Sequence, residues 1–151
     1  MVEVLIAILI FSLAVLGMVG INALAVSGQS DAQYRTDANK FAMQVINHIM
    51  LSVPRSNTAT TTDLAAAVNA YAHYADSAAC SRTGTVASSN ADVLAWASAV
   101  QGTTGLPGSL SGMQQIVTNA NGLLNEVTVT VCWQGPSDTA VRRHVMKAVI
   151  N

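Results

Sequence analysis

The chain has 151 residues, of which 51% are apolar and only 10% are charged, and its formal net charge is −1. So small a net charge excludes a protein whose overall field attracts nucleic acid or anionic lipid. The length allows one small soluble domain beside an apolar segment.

The first part of the chain is a long apolar run. No residue between Val4 and Val26 is charged, and Ser12 and Asn22 are its polar residues. As a helix the run spans roughly 35 Å, enough for a hydrocarbon core of about 30 Å. It is longer than the apolar region of a cleaved secretory signal, which has about 7–15 residues. Residues 1–27 are therefore predicted to form a retained membrane span.

One acidic residue, Glu3, lies where the apolar run begins. A carboxylate at bilayer depth costs a few kcal/mol and is normally paired or functional. The alternative is an interfacial acid that faces lipid headgroups. We predict that Glu3 is the functional residue of the segment.

Two glycines, Gly17 and Gly20, interrupt the run. Each costs about 1 kcal/mol relative to alanine in a helix interior. One interpretation is close packing of neighbouring helices through small residues. The other is local helix flexibility, and the residues alone do not separate the two.

The helical pattern continues through residues 28–54, which are predicted to form the amphipathic half of the same helix. Pro54 ends the pattern, because the residue before a proline is pushed out of the helical region. Apolar side chains recur every three or four positions, at Tyr34, Ala38, Phe41, Ala42, Val45, Ile46, Ile49, Met50 and Val53.

Residues 55–151 are predicted to form a globular α+β head. After a polar stretch, a second helix is expected from Asp63 to Asp76. A third helix is expected from Ala91 to Val100, capped by Ser89 or Asn90. Its predicted inward face consists of Val93, Trp96, Ala97 and Val100.

The C-terminal third of the chain predicts a small antiparallel sheet. A loop with a Pro107-Gly108 turn precedes a strand at Met113–Thr118, and Asn121-Gly122 is a hairpin turn signal. A strand from Asn125 to Trp133 alternates between apolar and polar residues. A turn at residues 135–138 leads to a closing strand at Ala140–Ile150. The apolar face of this sheet is expected to lie on the stripe of the long helix.

The two cysteines, Cys80 and Cys132, both belong to the head. If the head lies on the oxidising side of the membrane, a disulfide between them is the leading interpretation. Two unpaired buried thiols are the alternative.

No motif predicts an enzyme, a metal site or a cofactor. His48, His73 and His144 show no ligand spacing, and no serine lies in a nucleophile motif. The chain has no phosphate-binding or dinucleotide-binding loop. The basic residues Arg142, Arg143 and Lys147 cannot share one face of a strand, so nucleic acid is not expected as a partner.

The segment MVEVLIAILIFSL at residues 1–13 resembles the start of mature type IV pilins and pseudopilins. The resemblance implies that a prepilin peptidase removed a basic leader, and that two residues, usually Phe and Thr or Ser, preceded Met1. It implies methylation at the new amino terminus. It also implies that Glu3 pairs with the N-terminal amine of an adjoining subunit, and that Gly17 and Gly20 let the helix unwind in a filament.

The C-terminal half narrows the resemblance to the type IV pilus modification proteins, or V-type minor pilins. It has a tryptophan-bearing helix, a Leu-Pro-Gly loop, a Val-x-Val-x-Val-x-Trp strand and a final strand. The implied fold is a long N-terminal helix on a small antiparallel sheet with short extra helices.

The implied function is that of a minor pilin in the tip complex of a type IV pilus, which primes assembly and supports adhesion and twitching motility. Its partners would be other minor pilins, the major pilin and a large tip adhesin. The protein would lie in the bacterial inner membrane with its head in the periplasm, and then in the extracellular pilus. The alternatives are a minor pseudopilin of type II secretion and a single-pass inner-membrane protein with a ligand-binding periplasmic head.

Overall fold

The computed structural model describes residues 1–54, 60–81, 86–121 and 124–150, with Ala23 and Leu24 described by their backbone alone. Within these residues the α-helices are α1 (Val2–Ser52), α2 (Thr61–Asn69) and α3 (Ala91–Gln101). A short 3-10 helix, Ser111–Met113, precedes three strands: β1 (Gln115–Ala120), β2 (Asn125–Trp133) and β3 (Arg142–Val149). The chain divides into two compact units, Met1–Tyr34 and Arg35–Asn151.

The second half of α1 forms part of the head core. Its predicted apolar stripe is buried at every third or fourth residue, and the helix packs on the sheet. As predicted, the helix ends before Pro54, and the Val53 N–H still donates to the carbonyl of Ile49 at 3.1 Å. The buried members of the stripe are Ala38, Ala42, Val45, Ile46, Ile49 and Val53.

α2 is shorter than the predicted helix at Asp63–Asp76. It begins after a capping box, in which Thr60 and Asp63 each bond the other's backbone N–H. It ends at Asn69, because the chain then leaves the helix to pair with the sheet. His73 and Ile116 exchange two backbone hydrogen bonds of 3.0 Å. That long-range pairing replaces the last two turns of the predicted helix.

α3 agrees with its prediction. The Asn90 side chain accepts a hydrogen bond from the Asp92 N–H, which makes Asn90 the cap. The indole Nε1 of Trp96 donates to the carbonyl of Phe41 at 2.9 Å and joins α3 to α1. The four predicted inward residues are buried: Val93, Trp96, Ala97 and Val100.

The loop before the sheet turns at Gly108, as predicted. Its φ is +59°, and a side chain there would come within 2.6 Å of the Gln134 carbonyl. That close approach and the positive φ require glycine.

The three strands form an antiparallel sheet in the order β1-β2-β3. β2 has the predicted bounds, whereas β1 begins two residues later than predicted and β3 is shorter at both ends. Asn121 accepts a hydrogen bond from the Leu124 N–H in the hairpin between β1 and β2. The predicted Gly122 of that turn, and residues 55–59 of the polar stretch, lie outside the described residues.

The inner and outer faces of the sheet are buried by different parts of the chain. Val129 pairs with Ile116 on one side and Met146 on the other, so these three side chains share the inner face. On the outer face Thr130 and Cys132 are also buried. The cover there is the segment after α2, which the sheet binds through the Gln115 side chain and the carbonyls of Tyr74 and Ser77.

The predicted disulfide is present. It joins Cys80 to Cys132 across 52 residues, with the Cα atoms 5.5 Å apart. The bond fastens the segment after α2 to the outer face of β2.

A buried glutamine extends the pairing of β1 with β2. The Gln114 side chain accepts from the Cys132 N–H at 2.9 Å and donates to the Cys132 carbonyl at 3.0 Å. It also donates to the Ser109 hydroxyl. Leaving such buried groups unpaired costs about 1–3 kcal/mol each. The Gln114 side chain avoids that cost, because it bonds the Cys132 backbone in place of a backbone partner at the residue before β1 begins.

Candidate functional site

The N-terminal unit exposes a continuous apolar surface. The most apolar 18-residue window of α1 has a mean hydropathy of 2.9, and none of it is buried. By length and composition this helix can cross a membrane, and it is the one such helix in the part of the chain described. In water each exposed aliphatic side chain forgoes about 1.5–3 kcal/mol of burial free energy. Lipid or the apolar sides of other helices would recover this free energy.

Glu3 lies in the first turn of α1. A carboxylate is favourable there because the N-terminal end of a helix has a partial positive charge. Its side chain is exposed, and no described residue forms an ion pair or hydrogen bond with it. The acid is thus available to a group outside this chain.

Gly17 and Gly20 both lie within the continuous helix α1. A side chain built at either position meets no atom within 4 Å. Packing within the chain therefore does not require these glycines. The two interpretations, helix flexibility and close packing against another helix, both remain predictions.

The hydroxyl groups of α1 bond within the helix itself. Ser12 donates to the carbonyl of Leu9 at 2.8 Å, and Ser30 donates to that of Val26 at 3.1 Å. Such internal bonds lower the cost of placing a hydroxyl in apolar surroundings.

The head places its three histidines on different elements. His48 lies on α1, His73 follows α2, and His144 lies on β3. Across the described ranges, no group of three His, Cys, Asp or Glu residues is placed to hold a metal ion.

An open groove of about 350 Å³ lies between α1 and α3. The imidazole Nε2 of His48 is 3.1 Å from a carboxylate oxygen of Asp92 at its edge, and both side chains are exposed. Apolar side chains, including Trp96 and Ala99, form most of the wall. Among the described residues that line the groove, no nucleophile lies beside an orienting base.

His73 is a buried titratable group of the head. Its Nδ1 accepts a hydrogen bond from the Ser88 N–H at 3.0 Å, which fixes a neutral ring with its proton on Nε2. Burial lowers the pKa of His73 below its ordinary value of 6.5, and the backbone of Ser111 opposes only part of that shift. The folded head therefore favours the neutral form.

We expect the free energy of unfolding to fall as the pH drops below about 6.5. The unfolded chain then binds a proton that the folded head disfavours, whereas above this pH both states are neutral. The slope from one proton is at most about 1.4 kcal/mol per pH unit. Denaturant unfolding between pH 5 and 8 measures it.

The matched variant is His73→Asn, whose amide oxygen can accept the same bond from Ser88 without titrating. It should show a flatter pH dependence over this range. An equal slope in the variant and the parent protein would assign the effect to another group.

The basic residues of β3 do not form one patch. The Arg142 guanidinium bonds Asp138 at 2.6 and 2.8 Å, and this contact lowers the pKa of Asp138 against the opposing effect of burial. Lys147 pairs with Glu126 at 2.9 Å. Arg143 is exposed on the same face as Lys147, as the strand alternation predicted.

Comparison of the chain with models of protein families, with curated proteins and with solved structures gives no match. The interpretation of the site therefore depends on the geometry and on the resemblance of the N-terminal segment.

The residues that sequence reasoning missed are polar and buried. Gln114 bonds the β2 backbone, and Asn125 donates to the carbonyl of Ile150 at 3.2 Å. A polar residue beside a strand gives no sequence signal for such a role, because the partner lies far along the chain.

Proposed function

We propose that this protein is a minor pilin, a structural subunit that is first anchored in the bacterial inner membrane and then built into the tip region of a type IV pilus. The observation that supports this most directly is that one helix, α1, contains two different surfaces. Its N-terminal part is apolar and exposed, with Glu3 at its start, and its later part is buried in an α+β head.

The exposed apolar segment is suited to transfer from the lipid bilayer to the core of a filament. Lipid tails and the apolar sides of other helices both remove it from water, so moving between them costs little hydrophobic free energy. In this proposal the segment leaves the bilayer as it enters the core of the filament. Neighbouring subunits, both other minor pilins and the major pilin, then supply its contacts.

Glu3 would direct that transfer. A carboxylate in apolar surroundings attracts an ammonium group strongly, and leaving either charge unpaired there is costly. In the proposal it bonds the N-terminal amine of the adjoining subunit and sets the register between them. Gly17 and Gly20 would permit local unwinding as the helices pack.

The head would provide side surfaces rather than chemistry. Its disulfide suits the oxidising periplasm and the cell exterior. The same proposal includes roles in priming polymerisation, in adhesion through a large tip adhesin and in twitching motility. A minor pseudopilin of type II secretion would have the same anchor and head.

The test is mass spectrometry of filaments sheared from intact cells that produce the tagged protein. We expect the chain in the sheared pili, with an N-terminus produced by removal of a leader and methylated. A strain without the polymerising motor is the control and should retain the chain in its membrane fraction. Permanent location in the inner membrane of motor-competent cells would contradict the proposal, and dependence on secretion genes instead of pilus genes would favour the pseudopilin.

A further inference from the structure

The strand β3 lies at the edge of the sheet. β2 pairs with it on one side, and within the residues described no strand pairs on the other. It is eight residues long and contains neither proline nor glycine. Exposed edges of this kind can accept a further strand, because their backbone groups are unpaired.

The hydrogen bonds between β2 and β3 show which backbone groups of β3 are directed away from β2. The Ile150 N–H donates to the Asn125 carbonyl at 2.8 Å, so the even-numbered residues of β3 direct their backbone groups to β2. In an antiparallel pair the intervening residues direct theirs outward. The outward N–H and C=O groups are therefore those of Arg143, Val145, Lys147 and Val149.

The side chains of the same four residues form the outer face of β3. All four are exposed, including Val145 at 46% and Val149 at 43%. Lys147 is already paired with Glu126. Arg143 has no ion-pair partner among the residues that the structure describes. The edge thus offers backbone groups, two apolar contacts and one uncompensated cation.

A second copy of this chain is a poor occupant of the edge. In the antiparallel register centred on Val145, Arg143 of each copy would lie directly opposite Lys147 of the other. Neighbouring registers still place all four cations on one face of the joined sheet. Glu126 compensates Lys147, but each Arg143 would still face a second cation and gain no acidic partner. Like charges opposite each other destabilise a sheet, so self-pairing is disfavoured.

We propose that the β3 edge binds an extended segment of a different protein as a fourth, antiparallel strand. The segment has an acidic residue opposite Arg143 and β-branched apolar residues opposite Val145 and Val149. This surface is separate from the apolar segment of α1, and the inference does not depend on a role in pili.

The test uses the full chain in neutral detergent and two fluorescent peptides, acetylated and amidated so that their ends carry no charge. The first reads Val-Thr-Thr-Thr-Val-Thr-Glu, which places Glu opposite Arg143 in the antiparallel register. The second has Lys in place of Glu. We expect the Glu peptide to bind about fivefold tighter by fluorescence anisotropy.

The variant Arg143→Glu should reverse the preference and bind the Lys peptide more tightly. The matched control is Lys40→Glu, which changes the net charge equally on α1 and should keep the original preference. Equal binding of both peptides, or of neither, would overturn the proposal.

Hydrogen exchange locates the binding independently of charge. Bound Glu peptide should slow exchange at the amides of Val145, Lys147 and Val149, and leave those of His144 and Met146 unchanged. Val145→Pro removes an outward N–H and should abolish binding, whereas Val145→Thr should retain it. Should the proline variant fail to fold, the Arg143→Glu result still decides the proposal. Binding without protection of these three amides would contradict it.

Discussion

The variant Glu3→Ala should remain in the membrane fraction but fall about a hundredfold or more in sheared filaments. In the proposed assembly the substitution leaves the amine of the adjoining subunit buried without a partner. Removing one member of a buried ion pair costs about 3–5 kcal/mol, and about 1.4 kcal/mol corresponds to a factor of ten. Quantitative immunoblotting of membrane and filament fractions measures the effect.

The structure supplies two controls for this experiment. Glu3 is exposed and forms no hydrogen bond or ion pair with another described residue, so Glu3→Ala should leave the unfolding of the head unchanged. Ser12→Ala changes another polar residue of the same segment, whose hydroxyl bonds only its own helix. That variant should enter filaments normally. Normal incorporation of Glu3→Ala would refute the role proposed for the acid.

Loss of the disulfide should have the largest effect on the stability of the head. For a loop of 52 residues, the chain-entropy model predicts a loss of about 4 kcal/mol. Domains are typically stable by about 5–15 kcal/mol, so the variant Cys80→Ala/Cys132→Ala should lose between about a quarter and four fifths of that stability. Denaturant unfolding of the full chain in detergent measures the difference.

Reductant is the internal control for this prediction. It should destabilise the parent protein by a similar amount and leave the double variant unchanged, because the chain has no other cysteine. A difference below about 1 kcal/mol between oxidised protein and double variant would show that the unfolded chain gains little freedom on losing the bond.

Local patterns predicted several elements well. The stripe of α1, the Asn90 cap of α3 and the alternation of β2 each depend on residues near one another in sequence. The disulfide was predictable because the chain has only two cysteines.

Long-range pairing explains the errors. α2 ends early because His73 pairs with Ile116, which lies 43 residues further along the chain. β1 begins late because the Gln114 side chain, rather than its backbone, bonds Cys132. Likewise, Thr130 faces outward in the alternation and is nevertheless buried by a segment that sequence alone does not place.

The candidate site, unlike the fold, depends on groups that lie outside this chain. Glu3 is conspicuous in the sequence because it lies at the start of an apolar run, and Gly17 and Gly20 because they interrupt it. Their proposed partners belong to other chains, so neither the sequence nor the structure of one subunit contains them. The role of these residues stays a prediction until filaments are analysed.

The two tryptophans of the head give it two independent optical reporters. Trp96 bonds the backbone of α1, whereas Trp133 is buried at the end of β2. Emission from Trp96 therefore reports whether α3 is seated on α1, and emission from Trp133 reports whether the sheet is intact. In the variants Trp133→Phe and Trp96→Phe the remaining indole reports one contact each, and comparing their two unfolding curves shows whether the contacts are lost together or in sequence.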